Sequence, residues 1–456
     1  MSTDILAAQV TGPVLTPGDA GYEEETATWN LAMTGRPVVA VGATSTADVR
    51  AAVRWAAAND LPIAVSATGH GQALPADGAL LINLRRMNDI VIDAAAGTAT
   101  IGAAVEMQDL VDAAAKAGLA PLAGSSLNVG AVGYVLGGGL SSTLGRTYGW
   151  AADHVRAAEI VTADGELHTV DAGTAPDLFW AIRGGKGNFG VVTSLTIGLV
   201  PVTRLYGGGI FFDGADARPV LDAFRRLVAD APDALTASVA FLRLPPLPFV
   251  PEPLRGRLSV HVRIAYLGDA EEGERLVADV RAAATPLIDA VAEMPYTAFA
   301  AIHADPVDPI PAYETSALLR DFPAEAADAL IAAAGPGVDT PVLVIEVRQL
   351  GGALARDPEV PSATGNRTAP FQLFLGAAGA PGMEEALREP LFGPLHALTP
   401  WASGRRQVNF LGGYDLDAAD VSAAYEPEAW ERLRAIKAAV DPRNLFRVNH
   451  NIPPQG

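Results

Sequence analysis

Three glycine-rich segments in the first half of the chain decide most of what it can become. They are Val65-Ser66-Ala67-Thr68-Gly69-His70-Gly71, then Gly130-Ala131-Val132-Gly133-Tyr134-Val135-Leu136-Gly137-Gly138-Gly139, then Gly184-Gly185-Lys186-Gly187-Asn188-Phe189-Gly190. Ahead of the first, Leu61-Pro62-Ile63-Ala64-Val65 reads as a short buried strand that opens into a loop with a histidine between two glycines. Glycine lets the backbone take φ > 0 and come close to a ligand, and consecutive loop N–H groups can cradle phosphate oxygens. His70 then has one side chain's reach to whatever the loop holds. A turn with a solvated imidazole explains this segment alone, but not three such segments in series.

The third segment fits the dinucleotide pattern G-x-G-x-x-G over Gly185–Gly190. That pattern works only with a strand before the glycines and a helix after them, so that pyrophosphate meets a helix N-terminus. Here a helix-like segment precedes and the β-rich run Val191-Val192-Thr193-Ser194-Leu195-Thr196-Ile197 follows. The match is a decoy. Gly187 after Lys186 also excludes a P-loop, which needs Ser or Thr there.

Residues 36–200 alternate short strands with helices. Ser45 or Thr46 with Asp48 opens a helix over Val49–Asn59, Gln108–Ala117 is another ended by Gly118, and Ala157–Val170 is a hairpin turning at Asp164-Gly165. Pro201 and Gly207-Gly208-Gly209 mark a boundary. Beyond it, strands such as Leu258–Tyr266 and Val342–Arg348 alternate apolar with polar, and helices Ala217–Ala229, Ala270–Ala284 and Ala324–Ala334 separate them. A half-buried antiparallel sheet with helices on one face fits this texture. Leu244–Pro251, rich in proline, reads as a stiff loop, and a last helix over Glu428–Val440 leads into the tail.

At 456 residues the chain needs more than one core. Its net charge of −20 argues against nucleic acid and anionic membranes as partners, and no apolar run approaches the ~20 residues of a membrane span. Met1–Ala20 lacks the basic region of a signal peptide, so a cytoplasmic location is expected. With no cysteine, disulfides, thiolate metal sites and cysteine nucleophiles are excluded, and no metal is expected. No Gly-x-Ser-x-Gly elbow or HExxH motif points to a hydrolase.

The three segments, in this order and spacing, resemble the flavin-binding domain of the vanillyl-alcohol-oxidase superfamily, most of all its berberine-bridge-enzyme-like branch. The likeness runs from about Pro37 to Val202 and returns in Val440-Asp441-Pro442-Arg443-Asn444-Leu445-Phe446-Arg447-Val448-Asn449-His450-Asn451-Ile452-Pro453. Asp177-Leu178-Phe179-Trp180-Ala181-Ile182-Arg183-Gly184-Gly185 with Asn188–Thr193 is characteristic of that branch. The resemblance implies an α+β, two-domain PCMH-type FAD-binding fold with an antiparallel-sheet substrate domain covered by helices. It would divide the chain into an FAD-binding part over 1–204, a substrate-binding part over 205–414 and a segment over 415–456 that returns to the FAD part.

It also implies FAD, bound covalently through the flavin 8α-methyl carbon to His70; a non-covalent flavin with His70 merely nearby is the alternative. Ser66, Ala67, Thr68, Gly69, Gly71 and Gln72 would hold the pyrophosphate with their backbone. Gly124, Ser125, Asn128, Gly130, Gly133 and Tyr134 would line the flavin, with Val192, Asn449 and Asn451 closing the other side. Relatives with a second attachment use a cysteine where this chain has Ser126, so attachment here should be single.

The expected reaction is hydride removal from a CH–OH or CH–NH group of a small organic molecule, with dioxygen reoxidising the flavin to give hydrogen peroxide. A small residue near Ala131 favours oxygen access in this family. The catalytic tyrosine of relatives is missing, because their Tyr-x-Asn segment is Gln407-Val408-Asn409 here and the tyrosine after the glycine triplet is Leu140. Alternate strand residues share a face, so Glu346 and Arg348 point together, and in an amine-oxidising member that strand carries charges toward the flavin. Glu346, Arg348 and Asn409 are therefore the catalytic candidates, against the alternative of a solvated ion-pair face. His261, His303 and Tyr296 are weaker ones, and His154, His168 and His396 read as structural or exposed. A flavin dehydrogenase, an oligosaccharide oxidase and a flavin-binding protein without turnover are the rival readings. Substrate and dioxygen are the expected partners, with a homo-oligomer left open.

Overall fold

The computed structural model describes residues 3–71 and 73–456; Gln72, one of the expected pyrophosphate contacts, lies outside them. Three sheets organise the chain. In the first, Val39–Gly42, Leu80–Asn83 and Ile63–Ser66 run parallel in that order, with Val14–Leu15 antiparallel on the outer edge. Helix Thr46–Ala58 makes the crossover, capped as its sequence predicts by Ser45, whose side chain accepts from the Asp48 N–H. The Asp48 carboxylate in turn accepts from the backbone of Thr11, Gly12 and Thr44, fixing how the chain enters the sheet.

The second sheet is antiparallel in the order Ile90–Asp93, Thr98–Gly102, Val191–Gly198, Val155–Val161, Leu167–Asp171. Helix Pro176–Gly185 precedes the third glycine segment and strand Val191–Gly198 follows it, so the dinucleotide-like pattern is a decoy in the structure too.

The third sheet has eight antiparallel strands between Arg204 and Ala378. Its two faces differ sharply. Ile210, Val262, Val239, Val347 and Leu373 lie in cross-strand register and pack under helices Ala217–Ala229, Ala270–Arg281, Ala324–Ala334 and Glu384–Ala397. One residue along each strand, the register brings Phe211, His261, Ala240, Glu346, Phe374 and Ser316 onto the opposite face. A solvated ion-pair face is the alternative that the sequence leaves open for it. Instead His261, Arg263 and Glu346 are buried, because the sheet roofs the N-terminal part of the chain instead of facing water.

The tail closes the assembly. Helix Pro427–Val440 packs on Pro176–Gly185, and the Ile63 N–H donates to Leu445 O at 2.8 Å. Residues 441–452 thereby come alongside the strand that carries the His70 loop. The proline-rich stretch is a loop between strands Leu235–Arg243 and Leu258–Tyr266, as expected.

Candidate active site between the glycine segments and the large sheet

The first glycine segment leaves the C-terminal end of Ile63–Ser66 and is seated on residues 28–29. Gly69 has φ +81°, and a Cβ there would overlap Thr28, so neither the conformation nor the space admits a side chain. Thr28 Oγ1 donates to Gly69 O at 2.9 Å, and Trp29 stacks on the His70 ring at 4.1 Å. Above them the Val307 carbonyl accepts from Trp29 Nε1 and from Asn128 Nδ2. Burial depresses the His70 imidazole to about 4, against a hydrogen bond to Asn128 that favours its charged form. The ring is therefore neutral, and its Nε2 is buried without a partner among the described residues.

The second segment meets the first through Gly130 N, which donates to Thr68 Oγ1 at 3.2 Å. Tyr134 lies with its ring against Gly124 and Gly139, and its hydroxyl is buried and unpartnered. Burial also holds that phenol well above its usual range, so it stays protonated. Gly133 faces open space. Ser125 makes no side-chain hydrogen bond among the described residues. Asn409, in the short turn Val408–Phe410 that packs on the polar face of the large sheet, donates to Tyr134 O at 2.7 Å and lies against Gly137 so closely that a Cβ there would overlap it.

The third segment is bound to the tail by Asn188. Its Nδ2 donates to Gly185 O and to His450 O, and its Oδ1 accepts from Ile452 N at 2.9 Å. Asn449 and Asn451 flank His450, and each has a buried, unpartnered Oδ1. Val192 is a core residue.

Buried polar atoms without partners are rare in native proteins. Among the described residues, His70 Nε2, Tyr134 Oη, Asn449 Oδ1 and Asn451 Oδ1 are four of them, contributed by two glycine segments and the tail. A large polar cofactor with ring nitrogens, carbonyls and a phosphate chain fits such a set.

Opposite stands the polar face of the large sheet. Glu346 is held at 2.8 Å by Arg263 and at 2.8 Å by Arg348, with His303 Nε2 at 3.5 Å. The solvated ion-pair alternative does not hold, since Glu346 is 1% exposed. Burial on its own would raise this carboxyl, but Arg263, Arg348 and His303 together outweigh it and hold it well below the usual carboxylate range. Arg348 spans the Phe374 and Phe410 rings at 5.5 and 5.0 Å and leaves Nε unpartnered. His261 takes a hydrogen bond from Arg263 Nε at 3.2 Å and stacks on Phe211. Burial keeps both His261 and His303 below their usual pKa. Tyr296 is tied into the core, donating to Pro121 O and accepting from Ala123 N.

Comparison with known proteins identifies the framework. A family model described as FAD binding domain matches residues 37–171, and one described as berberine and berberine like matches residues 411–453. (R)-6-hydroxynicotine oxidase of Paenarthrobacter nicotinovorans is 32% identical over 98% of both chains. This chain belongs to the berberine-bridge-enzyme-like family of FAD-linked oxidoreductases. Among solved structures, 6-hydroxy-D-nicotine oxidase from Arthrobacter nicotinovorans superposes with a TM-score of 0.83 at 29% identity, covering 98% of both chains. A xylooligosaccharide oxidase from Myceliophthora thermophila shares the fold, with a TM-score of 0.85 at 20% identity over the whole of both chains. The PCMH-type α+β fold and the oxidoreductase class follow.

Four residues at or near this site carry no local signal that marks them. Trp29 carries no motif. Arg263 shares strand parity with His261, which would have found it. Lys186, which lies near Gly71 and Gly137, reads in sequence only as a failed phosphate-loop lysine, and Glu314, whose charge bears on it, sits in strand Ala312–Leu319, which the sequence pattern does not mark.

Proposed function

We propose that this FAD-linked oxidoreductase is an oxidase that takes a hydride from a CH–OH or CH–NH group of a small secondary-metabolite or alkaloid-like molecule and passes the electrons to dioxygen, giving hydrogen peroxide. Bound FAD supplies the hydride acceptor. The division is into residues 1–204 and 415–456, which hold FAD, and 205–414, which cover the donor molecule. The acidic balance supports a cytoplasmic setting.

The observation that carries this reading is the facing of two sets. Unpartnered polar atoms of the glycine segments and tail stand on one side, and the Arg263–Glu346–Arg348 row stands on the other. The neutral His70 imidazole has the lone pair a nucleophile needs to bond the flavin 8α carbon. Tyr134, Asn449 and Asn451 offer polar atoms to the ring, and the loop before His70 offers backbone N–H groups to the phosphates. Glu346 is already compensated by two guanidiniums, so it has no surplus charge with which to draw in a cation. The row instead fixes Arg348 and offers N–H donors, which suits an alcohol or an unprotonated amine.

Anaerobic titration with a panel of alcohols, amines and oligosaccharides tests this. An alcohol or amine should bleach the visible flavin absorption, and air should restore it with release of peroxide. Bleaching by oligosaccharides alone would move the chain to sugar oxidation. A dithionite-reducible flavin that no donor bleaches would leave a flavin-binding protein without turnover.

A further inference from the structure

Lys186 stands where the backbone least suits a side chain. Its φ of +51° and ψ of −143° fall in a region occupied almost only by glycine, and such outliers collect at functional sites. The strain places the side chain against both other glycine segments. Cε is 2.8 Å from where a Cβ on Gly137 would stand, beside Asn409, and Nζ is 3.6 Å from where a Cβ on Gly71 would stand, next to His70. Among the described residues the amine has no hydrogen bond and no ion pair. Burial lowers it to about 8, and Glu314, raised by its own burial to about 7, is the charge that draws it back toward the ammonium.

We propose that Lys186 Nζ faces the ring of the bound flavin and supplies the positive charge that offsets electron density arriving there on reduction. A cation fixed in advance in a water-poor site is worth far more than one in water. Nζ lies beside Gly71, the residue after His70, and its stem shares the space over Gly137 with Asn409, which comes from the later part of the chain. The phosphates are the rival target. The negative charge of Glu314, which bears on the amine, disfavours a pyrophosphate there.

This inference rests on FAD being bound, and its test needs no knowledge of the substrate. Sulfite reversibly bleaches flavins whose surroundings stabilise added negative charge, so its dissociation constant reads the local field in the holoprotein. Lys186→Gly keeps the backbone conformation and removes the cation. It should weaken sulfite binding by roughly tenfold or more while raising Tm, because glycine relieves the strain. Lys186→Arg should return sulfite affinity to within about threefold of wild type. Wild-type sulfite affinity in Lys186→Gly overturns the proposal. So does loss of flavin from that variant with unchanged sulfite affinity in the fraction still loaded, since the amine would then serve the phosphates. A wild-type protein without flavin would instead refute the FAD reading itself.

Discussion

Lys437 and Asp441 meet at 2.7 Å with neither side chain exposed to any degree. The ammonium also donates to Asn188 O and Phe446 O, while the carboxylate accepts from the backbone of Leu445 and Phe446. One ion pair thus ties the final helix, the third glycine segment and the returning tail. Breaking a buried pair by neutralising one partner strands the other charge, at a cost of about 3–5 kcal/mol. Asp441→Asn should therefore lower Tm by several degrees and reduce flavin occupancy, because Asn449 and Asn451 lose their anchor. A melting curve that overlays wild type would remove the pair from this role.

His70 should carry the flavin alone. Its ring is neutral at physiological pH, and the place of a second attachment is a serine, Ser126. On denaturing electrophoresis the wild-type band should fluoresce as flavin and His70→Ala should not. A dark wild-type band from yellow protein would mean that the cofactor is held without a bond.

Glu314 sets a pH dependence of known sign. Burial raises its carboxyl from 4.5 to about 7, so between those values the folded chain binds a proton that the unfolded chain has released. Its contribution to stability is then complete below about pH 4.5 and lost as pH rises through about 7. The Tm of wild type should fall over that window relative to Glu314→Gln. Parallel curves for the two proteins would sink the assignment.

How far the site could be read from sequence follows from what each residue depends on. The His70 loop, the second and third glycine segments and the tail are contiguous motifs, and a strand or helix on either side fixes their local geometry. The pairing of Glu346 with Arg348 followed from strand parity. Their burial did not, because parity names a face and not what covers it; the cover here comes from another part of the chain, around Leu140, Ser141 and Ser142, across a cavity of about 20 Å³. Lys186 was hidden for a different reason. Its meaning lies in a φ of +51° and in contacts with Gly71 and Gly137, distant in sequence, neither of which a local pattern encodes.

Glu346 should bear on turnover more than on flavin loading. Two guanidiniums at 2.8 Å keep it ionised, so the stability it contributes is present above about pH 4.5 and lost only as pH falls through its depressed pKa. It should add no break to the rate profile above about pH 5. Glu346→Gln would leave Arg263 and Arg348 uncompensated and free to shift, and Arg348 is the member of the row with an unpartnered N–H. The variant should keep the visible flavin spectrum while anaerobic flavin reduction slows by about 10²-fold, the scale at which misplacing a group that positions the reactants is felt. Adding Arg348→Met should cost little further, because the two residues act as one unit. Wild-type reduction rates in Glu346→Gln would show that the pair only supports the sheet, and additive losses in the double variant would show that Arg348 acts without it.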